Sequence, residues 1–260
     1  MTKLTDSIVF ITGASSGIGR SCAHAFAREG AKLILAARRK ARLEKLAAEL
    51  KKEFHTETVL AELDVRDHRA VEKFHKKLPA AWRNIDILVN NAGLSRGLSK
   101  LHEGLLQDWE EMIDTNVKGL LYVSRAVLPG MVERKKGTII NIGSIAGHEV
   151  YPGGNVYCAS KHAVDALTKG MRMDVVDTPV RICTVDPGLV ETEFSEVRFH
   201  GDKERAKETY QNMTPLTPDD IADAVLFAAT RPPHVQIAEL IIMPTAQAST
   251  TLVHRASSPA

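Results

Sequence analysis

Short apolar runs and amphipathic stretches alternate along the whole chain. Residues 8–11, Ile-Val-Phe-Ile, form an apolar run, and similar runs recur at 32–37, 58–63, 85–89, 138–142, 181–185 and 237–243. Between them, apolar positions return every three or four residues, as in 41–51, where Leu43, Leu46, Ala47 and Leu50 share one helical face. This spacing predicts helices over 20–28, 41–51, 69–78, 107–133 and 157–176. A further helix opens at Thr217-Pro218-Asp219-Asp220. There Thr217 serves as cap, Pro218 fits the first position and the acids suit the positive end of the helix dipole. The strand runs are continuously apolar, not alternating. Strands of that kind are buried on both faces, which is the condition of a parallel sheet covered by helices. The pattern therefore predicts an α/β fold: one doubly wound domain over 1–260, with a seven-stranded parallel sheet flanked by helices. Residues 189–212 form a charged insert, and 244–260 a small, largely polar tail.

Composition narrows the function classes. The 260 residues are 44% apolar, enough for a sizeable core, and the formal net charge of +2 gives no pull toward nucleic acid or anionic membranes. No apolar run reaches the roughly 18–20 residues that span a bilayer, and no signal peptide is visible in the polar first residues. Cys22, Cys158 and Cys183 are too few and too scattered for a disulfide framework and read as buried packing residues. The histidines show no metal-ligand spacing, so no metal is expected. The expectation is a cytoplasmic protein with a small-molecule substrate, binding neither nucleic acid nor membrane.

The chemistry begins after the first strand. Gly13, Gly17 and Gly19 form G-x-x-x-G-x-G between a strand and a helix, with Ser15, Ser16 and Ile18 among them. Such a turn lets backbone amides approach a pyrophosphate at a helix N-terminus. In this architecture an acid near the end of the second strand holds the ribose 2′-hydroxyl of NAD. Residues 30–43 contain no Asp or Glu, and Arg38 and Arg39 stand there instead. Guanidinium groups match a 2′-phosphate, so NADP is favoured over NAD. Asp64, followed by Val65, ends the third strand and suits either an adenine amine or a turn cap. Asn90-Asn91-Ala92-Gly93 ends the fourth and offers close backbone approach to a ribose. Every candidate lies at the carboxyl end of a strand, where ligands bind in open α/β sheets.

The stretch 144–161 carries the second group. Tyr157 and Lys161 are four apart at the start of a helical pattern, about 5–6 Å apart on one face. A phenol titrates near 10, and a fixed cation beside it favours the phenolate. Ser144 closes the preceding strand and can donate to a carbonyl or alkoxide oxygen. The set suits proton transfer on a carbonyl/alcohol pair. A packed amphipathic Tyr–Lys pair would look the same in isolation.

Taken together, these motifs resemble the short-chain dehydrogenase/reductase family, a Rossmann-type fold. Thr12 to Gly19 is similar to the family's T-G-x-x-x-G-x-G, Asn90 to Gly93 to its N-N-A-G, and Pro187-Gly188 with Thr192 to its P-G segment. Asn116, Ser144, Tyr157 and Lys161 match its catalytic tetrad. The resemblance implies that Tyr157 is the acid/base and that Lys161 binds nicotinamide ribose and lowers the tyrosine pKa. It further implies that Ser144 orients the substrate oxygen and Asn116 holds a relay water. The implied cofactor contacts are Gly13, Ser15, Ser16, Gly17, Ile18 and Gly19, then Arg38, Arg39, Asp64, Val65, Asn91, Ala92 and Gly93, and finally Tyr157, Lys161, Pro187, Gly188, Val190 and Thr192. Three stretches, 143–152, 188–199 and 244–249, look like the NADP-dependent 3-hydroxy acid dehydrogenases, which are homotetramers acting on short 3-hydroxy acids. A carboxylate substrate needs a cation, so Arg198 or Arg96 is expected to pair with it beneath a lid formed by 189–212, with His148 and Tyr151 as further pocket candidates. The alternatives are a broad carbonyl reductase on uncharged ketones or aldehydes, and a regulator that senses NADP(H) without turnover.

Overall fold

A computed structural model describes residues 4–256. Its elements follow the alternation in the sequence: β1 (Ile8–Thr12), α1 (Gly17–Arg28), β2 (Lys32–Ala37), α2 (Lys40–Phe54), β3 (Thr58–Glu62), α3 (His68–Lys77), β4 (Ile87–Asn90), α4 (Leu106–Ile113), α5 (Leu120–Glu133), β5 (Thr138–Ile142), α6 (Asn155–Asp174), β6 (Arg181–Pro187), α7 (Phe194–Arg198), α8 (Lys203–Glu208), α9 (Pro218–Ala229) and β7 (Glu239–Ile242). The sheet has the order β3-β2-β1-β4-β5-β6-β7. Every pairing is parallel.

The period of two along a strand explains the continuous apolar runs. In β1, Val9 and Ile11 join the core layer containing Phe26, Leu33, Leu35, Ile221 and Val225. Ile8 and Phe10 turn to the opposite layer, with Ile34, Leu88, Val123, Val127 and Ile139. Each fully buried side chain of this size contributes about 1.5–3 kcal/mol. Strand order reverses between β1 and β4, and that reversal opens a crevice at the carboxyl ends of the strands.

Three local features differ from the sequence reading. The predicted helix over 107–133 is broken by a π-helical segment, Asp114–Gly119, between α4 and α5. Such an extra-residue turn re-aims a side chain without ending the helix. The insert 189–212 is folded into α7 and α8. Along the tail, Gln247 and Val253 form an antiparallel bridge; residues 257–260 lie outside the described ones. The Thr217 cap is realised as a full capping box with Asp220. All three cysteines are buried and free. Among the described residues, no helix is long and apolar enough to cross a membrane.

Candidate active site

The glycine turn after β1 is set by crowding. Gly13 has φ +65°, and a Cβ there would stand 2.8 Å from Asn91 Nδ2 and 3.0 Å from the Ala92 backbone. Gly17 also has positive φ, +50°. Both are conformations that L side chains adopt at a cost. The Asn90–Gly93 segment is what crowds the turn. Asn91 Nδ2 donates to the carbonyls of Thr12 at 2.9 Å and Gly13 at 3.2 Å. In return the Thr12 hydroxyl accepts from the amides of Asn91 and Ala92, each at 3.0 Å. The motif thus clamps the end of β4 to the end of β1.

At the end of β2, the Arg39 guanidinium donates to Ser16 Oγ at 2.7 Å and to Ser15 Oγ at 3.2 Å. Arg38 is exposed and lies 3.8 Å from Glu111. Asp64 is bound by Arg66 at 2.6 Å. Partial burial would raise the Asp64 carboxyl, but the hydrogen bonds and charge of Arg66 outweigh it and hold the group below the usual carboxylate range.

Ser144, Tyr157 and Lys161 face the same cleft. Ser144 Oγ accepts from the Ala146 amide at 3.1 Å and reaches the Pro187 carbonyl at 3.4 Å, a long bond that leaves the hydroxyl proton free to turn. The Ser144 amide donates to buried Asp186 Oδ1 at 3.2 Å. Lys161 Nζ donates to the Ile142 carbonyl at 2.8 Å and lies 5.9 Å from the Tyr157 ring centroid. Burial pushes the lysine down to about 8, opposed by the charge of Asp186. Burial raises the Tyr157 phenol, and the strongest opposing influence is the charge of Arg198, followed by a hydrogen bond with Ser144.

Asn116 lies in the π-helical segment, 2% exposed and behind the cleft wall. Its Nδ2 donates to the Leu94 carbonyl at 2.8 Å and to Ser160 Oγ at 3.0 Å, while its Oδ1 accepts from the Leu94 amide at 2.8 Å. Ser160 in turn donates to the Tyr157 carbonyl at 2.7 Å. The asparagine therefore ties the chain after β4 to the helix that carries Tyr157.

The residues brought together line one cavity of about 640 Å³. It holds Ser144, Tyr157, Lys161 and every expected cofactor contact except Gly19. Gly19 acts behind the turn, where a Cβ would meet Asn91 Nδ2 and the Gly13 carbonyl. Of the four further substrate candidates, Tyr151 and Arg198 line the cavity. Arg198 donates to the Tyr151 hydroxyl at 3.0 Å and to Ser95 Oγ at 3.1 Å. Arg96 does not face the cleft. Its guanidinium is bound to Glu111 and to the Val197 carbonyl, each at 2.7 Å, so it anchors α7 from outside. His148 also turns away, its Nε2 standing 3.3 Å from Asp186 Oδ2. It approaches Asp165 and Glu239, whose ligand atoms lie within 4.8 Å. Lys169 already bridges those two carboxylates, at 2.8 and 3.0 Å.

Several cavity residues carry no signal in the sequence pattern. Glu193 and Phe194 enter from the start of the lid, and Thr250, Thr251, Val253 and Arg255 from the tail. The tail folds back over its own chain: Arg255 donates to the Thr209 carbonyl at 3.0 Å and the Ala256 amide to the Asn212 carbonyl at 2.9 Å. Gln247 Oε1 accepts from the Leu189 amide at 2.8 Å, so the tail holds both ends of the insert.

A doubly wound parallel sheet with this glycine turn and this Ser–Tyr–Lys cluster defines a nucleotide-dependent dehydrogenase. The chain belongs to the short chain dehydrogenase family, whose model matches residues 7–203. It is 51% identical over 250 residues to the NADP-dependent 3-hydroxy acid dehydrogenase YdfG of Salmonella typhi, covering 95% of this chain and 99% of that one. It is 46% identical over 256 residues to the NADP-dependent 3-hydroxy acid dehydrogenase of Schizosaccharomyces pombe, covering 98% of this chain and 99% of that one. Among solved structures, the closed form of a serine dehydrogenase complexed with NADP+ superposes with a TM-score of 0.90 at 49% identity, covering 96% of this chain and all of that one.

Proposed function

We propose that this chain is an NADP-dependent oxidoreductase that moves a hydride between NADP(H) and the hydroxyl-bearing carbon of short 3-hydroxy acids such as serine, allo-threonine or 3-hydroxypropionate. The observation that carries this reading is Arg198. Its guanidinium enters the same cleft as Ser144 and Tyr157, joined to the Tyr151 hydroxyl. A cation with a neighbouring phenol donor is what a carboxylate requires when the reacting hydroxyl lies against Tyr157.

The donor set fits a phosphorylated dinucleotide. The Gly13–Gly17 turn, with Ser15, Ser16 and the N-terminus of α1, suits the pyrophosphate. Arg38 and Arg39 suit a 2′-phosphate. Asp64 and Val65 flank an adenine position, Asn91 to Gly93 a ribose, and Pro187, Gly188, Val190 and Thr192 the nicotinamide end. Bound there, the cofactor supplies a hydride acceptor or donor. The protein supplies the proton chemistry. In the oxidative direction Ser144 Oγ donates to the substrate oxygen, and the Tyr157 phenolate takes the hydroxyl proton. Arg198 favours that phenolate and holds the carboxylate. Lys161 keeps an ammonium beside the cofactor ribose, and Asn116 holds the helix of Tyr157 and a relay water. The insert and tail exclude bulk solvent. Family likeness supports a homotetramer and a cytoplasmic setting.

The apolar lining of Leu94, Leu98, Phe194 and Val197 favours a second reading, reduction of uncharged ketones. An assay following reduced nicotinamide absorbance, with NADP or NAD and with L-serine, 3-hydroxypropionate or a plain secondary alcohol, separates the two. Turnover of the acids with NADP is expected. Turnover confined to the plain alcohol discards the acid assignment, and equal use of NAD discards the roles of Arg38 and Arg39.

A further inference from the structure

The arginine at the end of β2 already has an anionic partner, and that partner comes from the lid. Glu193, the residue immediately before α7, accepts from Arg39 at 2.9 Å through Oε2 and from Arg42 at 2.7 Å through Oε1. Arg42 lies in the first turn of α2 and is held by no other acid among the described residues. Glu193 itself lines the cleft. It follows Thr192, whose methyl group leans against the glycine turn, 3.4 Å from where a Gly17 Cβ would stand. The lid hinge therefore spans the cleft, from the nicotinamide end to the arginines that suit a phosphate. Arg39 gives its remaining donors to Ser15 and Ser16.

We propose that Glu193 competes with the cofactor 2′-phosphate for Arg39 and Arg42, and so is a specificity-determining residue that tempers the preference for NADP(H) over NAD(H). The proposal rests on the NADP reading above. A carboxylate and a phosphate monoester demand the same guanidinium donors, so what one gains the other forgoes. An incoming 2′-phosphate must displace or share Glu193; a 2′-hydroxyl brings no anion and leaves the pairs intact. The competition is modest, because all three side chains are near half exposed, at 43–46%. A modest penalty is useful in an enzyme whose turnover includes release of the spent cofactor. It also makes Arg42 a member of the phosphate seat, although it lies beyond the two arginines that the sequence singles out.

The test needs no turnover. Dissociation constants of 2′,5′-ADP and 5′-AMP are measured calorimetrically on the full chain, for the parent, Glu193→Gln and Glu193→Ala. The parent should prefer 2′,5′-ADP. Both variants should bind 2′,5′-ADP tighter by roughly two- to fivefold, the range set by exposed ion pairs, with 5′-AMP unchanged. Arg42→Met should weaken 2′,5′-ADP in the Glu193→Gln background, where no carboxylate masks it. If the parent prefers 2′,5′-ADP and the Glu193 variants bind it equally or more weakly, Glu193 organises the arginines instead of competing, and the proposal falls while the NADP reading stands. If the parent shows no preference, the NADP reading and the proposal fall together.

Discussion

Arg198 stands over Tyr157, its guanidinium carbon 5.3 Å from the ring centroid, nearer than the Lys161 ammonium at 5.9 Å. The phenol is raised by burial and drawn back first by the charge of Arg198. The lid cation therefore bears on the phenol proposed as the acid/base, as well as on the carboxylate it is proposed to hold. Arg198→Met keeps the bulk and removes the charge. With an uncharged secondary alcohol, the inflection through which kcat/KM rises with pH in the oxidative direction should move to higher pH, because a phenol without its cation holds its proton longer. With 3-hydroxypropionate, KM should rise about 10- to 100-fold, the loss of one charged hydrogen-bonded contact. An unmoved inflection would mean that Lys161 alone sets the phenol.

Arg96 is a positioning residue, and its signature differs from that of Arg198. It grips the Val197 carbonyl and Glu111, while the neighbouring Gly97 amide donates to the Arg198 carbonyl at 2.8 Å. Arg96→Ala should loosen α7 as a unit. We expect kcat/KM to fall by a similar factor, on the order of tenfold, for the acid and for the plain alcohol, from the loss of partly buried charged bonds. A loss confined to the acid would return Arg96 to the carboxylate pocket.

The sheet was legible because its strands bury both faces: the run Ile8 to Ile11 sends alternate residues into two different cores. The site was legible along the strand ends, since parallel topology brings the ends of β1, β4, β5 and β6 to one edge. What stayed hidden was set by distance in sequence. Arg96 and Arg198 look alike as isolated cations, and only packing reveals that one props up the other's helix. His148 is near Ser144 in sequence yet turns to Asp186. The π-helical segment under Asn116 leaves the apolar spacing of the surrounding helices almost intact, so periodicity reads one helix. The tail has no periodicity at all; it is placed by Gln247 and Arg255 meeting backbone groups of the insert.

Gly143 is required by a side chain, not by its own backbone. A Cβ on it would fall on Asp186 Oδ1, the atom that accepts from the Ser144 amide. Gly143→Ala must push the Asp186 carboxylate off Ser144 or shift β5 against β6. The expected outcome is a kcat reduced at least about tenfold and a stability loss of about 1–3 kcal/mol, the range for overpacking a core. Binding of 2′,5′-ADP should hold, because that seat is built on β1 and β2. Unchanged kcat and melting temperature together would show that Asp186 does not position Ser144.

Burial of Lys161 has a stability signature of its own. The group is moved from an ordinary 10.5 to about 8. Between these values the folded chain has released the proton and the unfolded chain still holds it. The unfolded state therefore binds more protons across that window, and this contribution to stability rises with pH. Below about 8 the folded state carries the full cost of a buried ammonium, about 3 kcal/mol for a shift of this size. Other lysines and the buried tyrosines titrate nearby, so the measurement is a difference: urea unfolding of the parent and of Lys161→Met from pH 7 to about 10, the upper end set by the lysine itself. The variant should be inactive and should gain most over the parent at pH 7. That gain should shrink steadily as the pH approaches 10. Parallel stability curves for the two proteins would show that Lys161 keeps an ordinary pKa in the folded chain, with its charge matched in full by Asp186.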